Sequence, residues 1–276
     1  MSLHPFIKMH GLGNDFVIID GRDNNFLPDV SFCQHVADRH RGVGYDQLII
    51  LGKPKNSSAD LFMHMFNADG TKAGACGNAT RCVARLLFEE KKETEGVIET
   101  ISGLLPVWEE ENDLISVNFG PPHLAWDEIP LGQESDTLNI DLGCHSLPPA
   151  CCVNMGNPHA VFFIPDVTAI ILDEIGPKIE NHPLFPDRTN VEFAQILDAG
   201  NIRMRVWERG TGITQACGSG ACATLVAAVQ RHLCARKAKI HLDGGTLKVS
   251  WREKDEHVIL SGSTALSFRG TLDYNL

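Results

Sequence analysis

The sequence lacks an excess of positive charge. Its 276 residues include 24 Lys and Arg against 35 Asp and Glu, which gives a formal net charge of −11. Binding to nucleic-acid phosphates requires clustered basic side chains, so we expect no nucleic-acid partner. The longest basic cluster, at positions 231–239, is short and mixed with apolar residues.

Long apolar runs are also missing. No stretch approaches the roughly 18 residues that a membrane span requires. The first residues show neither a long apolar segment nor a cleavage site of small residues. We therefore expect no membrane association and a cytoplasmic location. The 43% of hydrophobic residues is still enough for a folded core in one large domain or two smaller ones.

None of the nine cysteines belongs to a Cys-x-x-Cys pair. Such pairs are typical of structural zinc sites, so we expect no metal. An odd number of cysteines without a secretory signal is more typical of reduced thiols than of a disulfide framework. The cysteines therefore serve either packing or chemistry.

Local patterns predict several strands and few helices. Apolar strands are expected on both sides of a tight turn at 11–14. Ser31 is predicted to cap a helix that runs to about His40. A second helix is predicted over about 77–90, and an aperiodic stretch that begins at Gly120 is the candidate domain boundary.

The most informative feature is an internal repeat. Cys76 and Cys217 are 141 positions apart, each within Ala-Cys-Gly, and each is followed by an Ala-rich helical pattern. Further landmarks recur at offsets of 142 or 143: Gly13-Asn14 with Gly156-Asn157, Gln47 with Asn190, Gly103 with Gly245, and Gly120 with Gly262. We predict two homologous halves, residues 1–120 plus 265–276 and residues 121–264. The second segment of the first half begins with a final strand at Ala265.

Each of the two cysteines follows a loop and begins a predicted helix. A helix start carries a partial positive charge and N–H groups without acceptors. We therefore expect the thiol pKa to be lowered toward the thiolate. The next residues, 77–78 and 218–219, can offer N–H groups to an anion. Two such helix starts, related by a pseudo-two-fold axis, would hold one carboxylate between two thiols.

This arrangement suits the reversal of stereochemistry at a carbon next to a carboxylate. A thiolate removes a proton from one face, a thiol delivers a proton to the other, and N–H groups stabilise the charge that develops on the carboxylate. Each unit of pKa mismatch between the α-proton and the base costs about 1.4 kcal/mol. Positioning and electrostatics must therefore supply most of the rate.

Beyond the repeat, the chain contains seven distinctive motifs: Met9–Phe16, Gly42–Gln47, Phe66–Gly70, Cys76–Asn78, Met155–His159, Glu208–Gly212 and Ala216–Ala223. Together these motifs resemble those of diaminopimelate epimerases. They follow in order along nearly the whole chain, and the Glu208–Ala223 block is highly specific. The resemblance implies an α+β (α/β) fold of two pseudo-symmetric halves, each a curled, mostly antiparallel sheet around a central helix. The substrate is expected in the cleft between the halves.

The resemblance also implies an activity and residue roles. It implies a cofactor-independent isomerase that interconverts LL- and meso-2,6-diaminopimelate, on the route to lysine and the bacterial cell wall. The implied acid–base pair is Cys76 and Cys217, and the implied modulators of their pKa are His159 and Glu208. Helix-start N–H groups are expected to hold the reacting carboxylate at Gly77, Asn78, Gly218 and Ser219. Further substrate contacts are implied at Asn14, Gln47, Asn67, Asn157, Asn190, Glu208 and Arg209.

The chemistry of this substrate agrees with those positions, because diaminopimelate is a double zwitterion. Its distal carboxylate suits Arg209, and its ammonium groups suit Glu208 and amide oxygens. The sequence departs from the family pattern at Ala79-Thr80, where the family usually has Gly-Ala. A tyrosine associated with dimerisation in the family aligns with Phe268, so the expected homodimer contact keeps the ring without the hydroxyl.

Three alternatives stay open at this point. A proline racemase-like enzyme would share the duplicated architecture, although proline has no distal carboxylate to engage Arg209. A non-catalytic redox switch could use the two thiols instead. A pyridoxal-phosphate racemase would need a Schiff-base lysine in a phosphate-binding context, which the sequence does not show.

Overall fold

The computed structural model describes residues 2–74, 76–144 and 147–274. Ala75, in the first Ala-Cys-Gly copy, lies outside the described residues. The chain forms two compact units. The first unit comprises Met1–Val117 and Gly262–Leu276, and the second unit comprises Asn118–Ser261.

The first unit contains a mixed sheet and two helices. The strands are β1 (Ser2–Gly11), β2 (Asn14–Asp20), β3 (Gln47–Gly52), β4 (Leu61–Asn67), β5 (Glu95–Thr100), β6 (Gly103–Glu110), β7 (Leu114–Asn118) and β16 (Ala265–Tyr274). The helices are α1 (Val30–Ala37) and α2 (Gly77–Lys91). The sheet order is β16-β1-β2-β3-β4-β5-β6-β7. The β2–β3 and β4–β5 pairs are parallel and the others are antiparallel.

The second unit repeats this plan. Its strands are β8 (Cys151–Asn154), β9 (Pro158–Phe163), β10 (Asn190–Asp198), β11 (Asn201–Glu208), β12 (Gly212–Ile213), β13 (Lys237–Leu242), β14 (Gly245–Trp251) and β15 (Val258–Gly262). Its helices are α3 (Leu172–Glu180) and α4 (Gly218–Gln230). The sheet order is β8-β9-β10-β11-β13-β14-β15, with the short β12 paired to β11. Here β9–β10 and β11–β13 are the parallel pairs.

The register of the parallel strands shows how closely the units correspond. In the first unit Phe16 of β2 lies opposite Gln47 of β3. In the second unit His159 of β9 lies opposite Asn190 of β10. The predicted fold class, two pseudo-symmetric halves that each combine a mostly antiparallel sheet with a helix, is thereby confirmed.

The central helices are packed against the sheet of their own unit. Helix α2 contacts β1 and β5, and α4 contacts β8 and β14. Helix α4 is buried from Gly218 to Ala228, as expected for a helix that is apolar on all sides. Among the described residues, no helix combines the length and apolar character needed to cross a membrane.

Helix α1 begins differently from the prediction. Its N-cap is Asp29, whose carboxylate accepts a hydrogen bond from the backbone N–H of Phe32 at 2.7 Å. Ser31 lies inside the first turn, and the helix ends at Ala37 rather than near His40. The predicted cap was wrong because the carboxyl of Asp29, two positions earlier, accepts the first-turn N–H of Phe32.

Candidate active site

Cys76 is the N-cap of α2 in the first unit. Its backbone is extended, with φ −147° and ψ 108°, and its side chain lies at the positive end of the helix dipole. The Sγ atom is 3.7 Å from Oδ1 of Asn14 and can donate a weak hydrogen bond to it. The thiol is half-buried, so reagents of small size can reach it.

A chain of polar side chains fixes the surroundings of this thiol. Arg81 donates to Oδ1 of Asn78 at 2.8 Å, and Asn78 donates to Oδ1 of Asn14 at 3.0 Å. Asn14 in turn donates to Asp46 at 2.8 Å. The predicted residues Asn14, Cys76 and Asn78 are thus brought into one hydrogen-bonded group.

Arg81 belongs to this group although the sequence analysis did not select it. Its side chain is fully buried, and it also donates to the carbonyl of Gly77 at 3.3 Å. A buried guanidinium places a permanent positive charge in the helix that begins at Cys76. Its position five residues after the cysteine, in the first turns of the helix, is the signal that could have identified it.

The family departure at Ala79-Thr80 fits within α2. Ala79 is fully buried, and the hydroxyl of Thr80 donates to the carbonyl of Cys76 at 2.9 Å. The threonine therefore adds a hydrogen bond to the first turn of the helix.

Gln47 and Asn67 form a second polar pair in the first unit. The Gln47 amide donates to Asn67 at 3.4 Å, and the Asn67 amide donates to Thr71 at 3.0 Å. The Oε1 atom of Gln47 is buried and has no hydrogen-bonding partner among the described residues. A buried acceptor left unpaired costs free energy, so this oxygen is suited to a ligand's donor group such as an ammonium.

Cys217 is the N-cap of α4 in the second unit. Its Sγ atom accepts a hydrogen bond from the N–H of Gly220 at 3.4 Å and lies 3.6 Å from the Ser219 hydroxyl. Burial, together with the charges of Glu208 and Glu192, raises the pKa of this thiol well above its usual value. The predicted lowering of the pKa was therefore wrong for Cys217, because burial and two carboxylates outweigh the helix start.

His159 is fully buried and hydrogen-bonded through both ring nitrogens. Its Nδ1 atom is 2.7 Å from Oε1 of Glu192, and its Nε2 atom is 2.9 Å from Oδ1 of Asn157. Glu192 was not predicted from the sequence. A glutamate within the apolar β10 strand was the available signal, because β10 buries Val191, Glu192 and Phe193 in succession.

Glu208 ends β11 and is half-buried. Thr214 donates a hydrogen bond to its Oε1 atom. Burial raises the pKa of Glu208 to about 7, although hydrogen bonds from Thr214 and Cys217 act in the opposite direction. The carboxyl is therefore poised to change its charge near neutral pH and contacts the cysteine that it was predicted to influence.

The loop after β11 carries Arg209. Its backbone N–H donates to Oδ1 of Asn190 at 3.0 Å, and its guanidinium donates to the carbonyl of Asp187 at 3.1 Å. Glu180 holds the same loop through the N–H of Gly210 at 2.8 Å. Asn190 and Arg209 are therefore positioned together, as a pair of substrate contacts would require.

No group of three or more His, Cys, Asp and Glu side chains within residues 2–74, 76–144 and 147–274 is arranged to hold a metal ion.

Solved structures at low sequence identity share the fold of this chain. A probable proline racemase from Agrobacterium radiobacter K84 is similar in structure, with a TM-score of 0.73 and 14% sequence identity. That similarity covers 99% of this chain and 93% of the other. A phenazine biosynthesis protein of the PhzF family from Bacillus anthracis has a TM-score of 0.70 and 15% identity, covering 99% of this chain and 100% of the other.

The sequence comparisons define the family. A model of the diaminopimelate epimerase family matches residues 6–125 and 151–266. The diaminopimelate epimerase of Rhodospirillum centenum is 50% identical over 98% of this chain and 93% of its own length. That of Acidiphilium cryptum is 50% identical over 99% of this chain and 97% of its own length. The chain belongs to the diaminopimelate epimerase family, and the resemblance seen in its sequence motifs is confirmed.

Proposed function

We propose that the protein interconverts LL- and meso-2,6-diaminopimelate with Cys76 and Cys217 as its acid–base pair and with no cofactor. The observation that carries the proposal is the family match across both halves, together with a cysteine at the N-cap of each central helix. The function belongs to lysine biosynthesis, as it does for the family.

The two cysteines exchange one proton each with the substrate. A thiolate removes the α-proton, so that a C–H bond breaks and an S–H bond forms. The thiol of the other cysteine then gives its proton to the opposite face of the same carbon. The product leaves with inverted configuration, the two sulfurs have exchanged roles, and no oxidant or reductant is consumed.

The carbanion between these steps places its charge on the α-carboxylate. Helix-start N–H groups at Gly77, Asn78, Gly218 and Ser219 are suited to stabilise that charge, because the positive end of the helix dipole lies at these positions. The half-buried Cys76 and the buried Cys217 differ in environment. The raised pKa of Cys217 supports its presence as a thiol, ready to act as an acid, before the first turnover.

The remaining predicted residues suit the other end of the substrate. Arg209 offers a guanidinium to the distal carboxylate, and Glu208 and the amides of Asn157 and Asn190 offer acceptors to an ammonium group. The proline racemase alternative has weaker support, because solved structures at 14–15% identity share the fold alone. The relatives at 50% identity carry the diaminopimelate epimerase name.

The proposal is tested by incubating reduced protein, free of pyridoxal phosphate, with LL-diaminopimelate in D2O. Proton NMR should show loss of the α-proton signal and appearance of the meso isomer. Cys76→Ala and Cys217→Ala should each lower the rate of epimerisation by at least about a hundredfold, the lower range for loss of one general acid or base.

The matched controls are Cys82→Ala and Cys222→Ala, which remove buried thiols from the same two helices. Both should retain exchange. Exchange of the α-proton with proline but not with diaminopimelate would overturn the proposed substrate. Exchange with no amino acid would favour the redox-switch alternative. Equal losses in all four variants would overturn the assignment of the acid–base pair.

A homodimer through the Phe268 region is also part of the proposal. Strand β16 pairs with β1, and the side chains of Leu3, Leu266 and Phe268 on these strands are about half exposed or more. Such apolar exposure is typical of a protein interface. Sedimentation should show a dimer, and Phe268→Asp should shift it to a monomer. The cytoplasmic location stays a prediction.

A further inference from the structure

Glu192 is a buried carboxyl that the proposed mechanism does not use. Its side chain is fully buried in β10. One oxygen, Oε1, lies 2.7 Å from Nδ1 of His159. The other, Oε2, is buried without a hydrogen-bonding partner among the described residues. Such a group costs free energy to bury, so its presence calls for a compensating contact.

The carboxyl lies directly beneath the first turn of α4. A Cβ atom on Gly220 would be 2.7 Å from Oε1 of Glu192 and 3.3 Å from Sγ of Cys217. The carboxylate and the sulfur are therefore within about 6 Å of each other, where two charges in a buried environment interact strongly. Glycine at position 220 permits this approach, because a side chain would displace the carboxylate.

Other ionisable groups interact electrostatically with Glu192. They are His159 from β9, Glu208 from β11, Cys217 from α4 and Cys152 from β8. Among these, His159 is the one in direct hydrogen-bond contact. A separated carboxylate and imidazolium would each require further partners at full burial. One proton shared between Oε1 of Glu192 and Nδ1 of His159 instead leaves the pair of side chains neutral overall.

We propose that Glu192 is a positioning residue that shares one proton with His159 and thereby keeps Nε2 of His159 protonated toward Asn157. With Nδ1 occupied by the shared proton, Nε2 must carry the second ring hydrogen to donate to Oδ1 of Asn157 at 2.9 Å. The pair thus orients an amide predicted to contact substrate, and it supports the turn that carries Cys217.

Loss of the Glu192 carboxyl would remove the constraint on which ring nitrogens of His159 carry hydrogens. A glutamine at position 192 can either donate to Nδ1 or accept from it, so the ring would no longer be restricted to one hydrogen arrangement. When Nε2 lacks a hydrogen, it repels the Asn157 oxygen instead of holding it. The orientation of the Asn157 amide would then no longer be fixed.

The first measurement uses the intact protein without substitution. Histidines labelled with 15N report the protonation of each ring nitrogen by NMR, and the His159 signals are assigned by their loss in His159→Gln. We expect Nε2 of His159 to carry a hydrogen and Nδ1 to show the 15N shift of a nitrogen that shares a proton. An Nδ1 with the shift of a bare, unprotonated nitrogen would overturn the proposal.

The second measurement compares variants of one strand. Glu192→Gln should remove the shared-proton signal at Nδ1 of His159, lower kcat/KM by about tenfold or more, and alter the pH profile of kcat/KM. Glu192→Asp keeps a carboxylate, so it should partly restore both the His159 spectrum and kcat/KM. The control is Phe193→Leu, which perturbs the opposite, core-facing side of β10 and should leave the His159 spectrum and the pH profile unchanged.

The kinetic part rests on the proposed epimerase function, and the NMR part does not. If the unsubstituted protein fails to epimerise diaminopimelate, the proposed function fails while the His159 spectrum still tests the shared proton. If epimerisation is normal and Glu192→Gln leaves both the spectrum and the pH profile unchanged, Glu192 has no positioning role.

Discussion

The two units share a backbone plan but differ in the charges that they bury near the cysteine. In the first unit the buried charge is Arg81, on the helix that begins at Cys76. In the second unit the buried carboxyl is Glu192, on a strand beneath the helix that begins at Cys217. Equivalent folds thus place a cation near one thiol and a carboxyl near the other.

Position-by-position correspondence sharpens the contrast. Arg81 lies five residues after its cysteine, where the second unit has Cys222. His159, opposite Asn190, corresponds to Phe16, opposite Gln47. The burial of Cys217 and the carboxyls around it raise the pKa of its thiol, so the two helix starts are not equivalent.

The largest expected effect concerns Glu208, which stands where the first unit has the non-ionising Asn67. An unfolded Glu loses its proton near 4.5, whereas burial keeps folded Glu208 protonated up to about 7. The folded state therefore binds more protons in this interval, so the free energy of unfolding should fall as pH rises from about 4.5 to 7. The shift corresponds to about 3 kcal/mol at most, as an order of magnitude.

Urea unfolding as a function of pH checks this expectation. Glu208→Gln should remove the slope between about pH 4.5 and 7, because an amide does not titrate. Glu134→Gln, at an exposed glutamate of the same unit, should leave the slope in place. An unchanged slope in Glu208→Gln would show that another group causes it.

A matched pair of helix substitutions tests whether the first turns differ as described. In Gly220→Ala the new methyl would meet Oε1 of Glu192 at 2.7 Å. Overpacking of this kind costs about 1–3 kcal/mol. We expect kcat/KM to fall by about tenfold or more, since a misplaced acid–base group lowers rates steeply.

The corresponding change in the first unit is Ala79→Gly. It should lower the free energy of unfolding by about 1 kcal/mol, the usual cost of glycine inside a helix, with little effect on kcat/KM. Equal losses of activity in the two variants would contradict the comparison between the units. Thermal unfolding and steady-state kinetics measure both quantities.

A third prediction compares the reactivity of the two thiols. Alkylation requires the thiolate and access. Cys217 is 4% exposed and its pKa is raised well above the usual value, whereas Cys76 is half-buried. Near pH 7 iodoacetamide should modify Cys76 at least about tenfold faster, the factor for one pKa unit. Mass spectrometry of the two peptides measures the ratio, and equal rates would refute the predicted asymmetry.

The features of the structure that could be predicted are those that local sequence patterns specify. The prediction of a helix over 77–90 agrees with α2 at Gly77–Lys91, because apolar periodicity depends only on neighbouring residues. The repeat of Ala-Cys-Gly and its companions placed Cys76 and Cys217 at equivalent helix starts. Such features depend on short sequence separations, so they can be recognised before any three-dimensional contact is known.

Contacts between distant strands were harder to predict. Glu192 and His159 are 33 positions apart and meet because β9 and β10 are parallel neighbours. The pKa of Cys217 depends on carboxyls from β10 and β11 and on burial by the whole unit. From the helix start alone we predicted a lowered pKa for Cys217. The sequence does not show how deeply a side chain is buried or which residues lie beside it across the sheet.

The smallest expected effect compares α1 with its counterpart α3. Asp29 caps α1, whereas the N-cap of α3 is Ile171, which makes no side-chain capping bond and is 61% exposed. Asp29→Ala should therefore lower the free energy of unfolding by about 1 kcal/mol, and Ser31→Ala should change it by less than about 0.5 kcal/mol. Ile171→Asp should raise it by up to about 1 kcal/mol, because it supplies the acceptor that α1 already has. Urea unfolding at neutral pH measures all three, and a larger loss in Ser31→Ala than in Asp29→Ala would reassign the cap of α1.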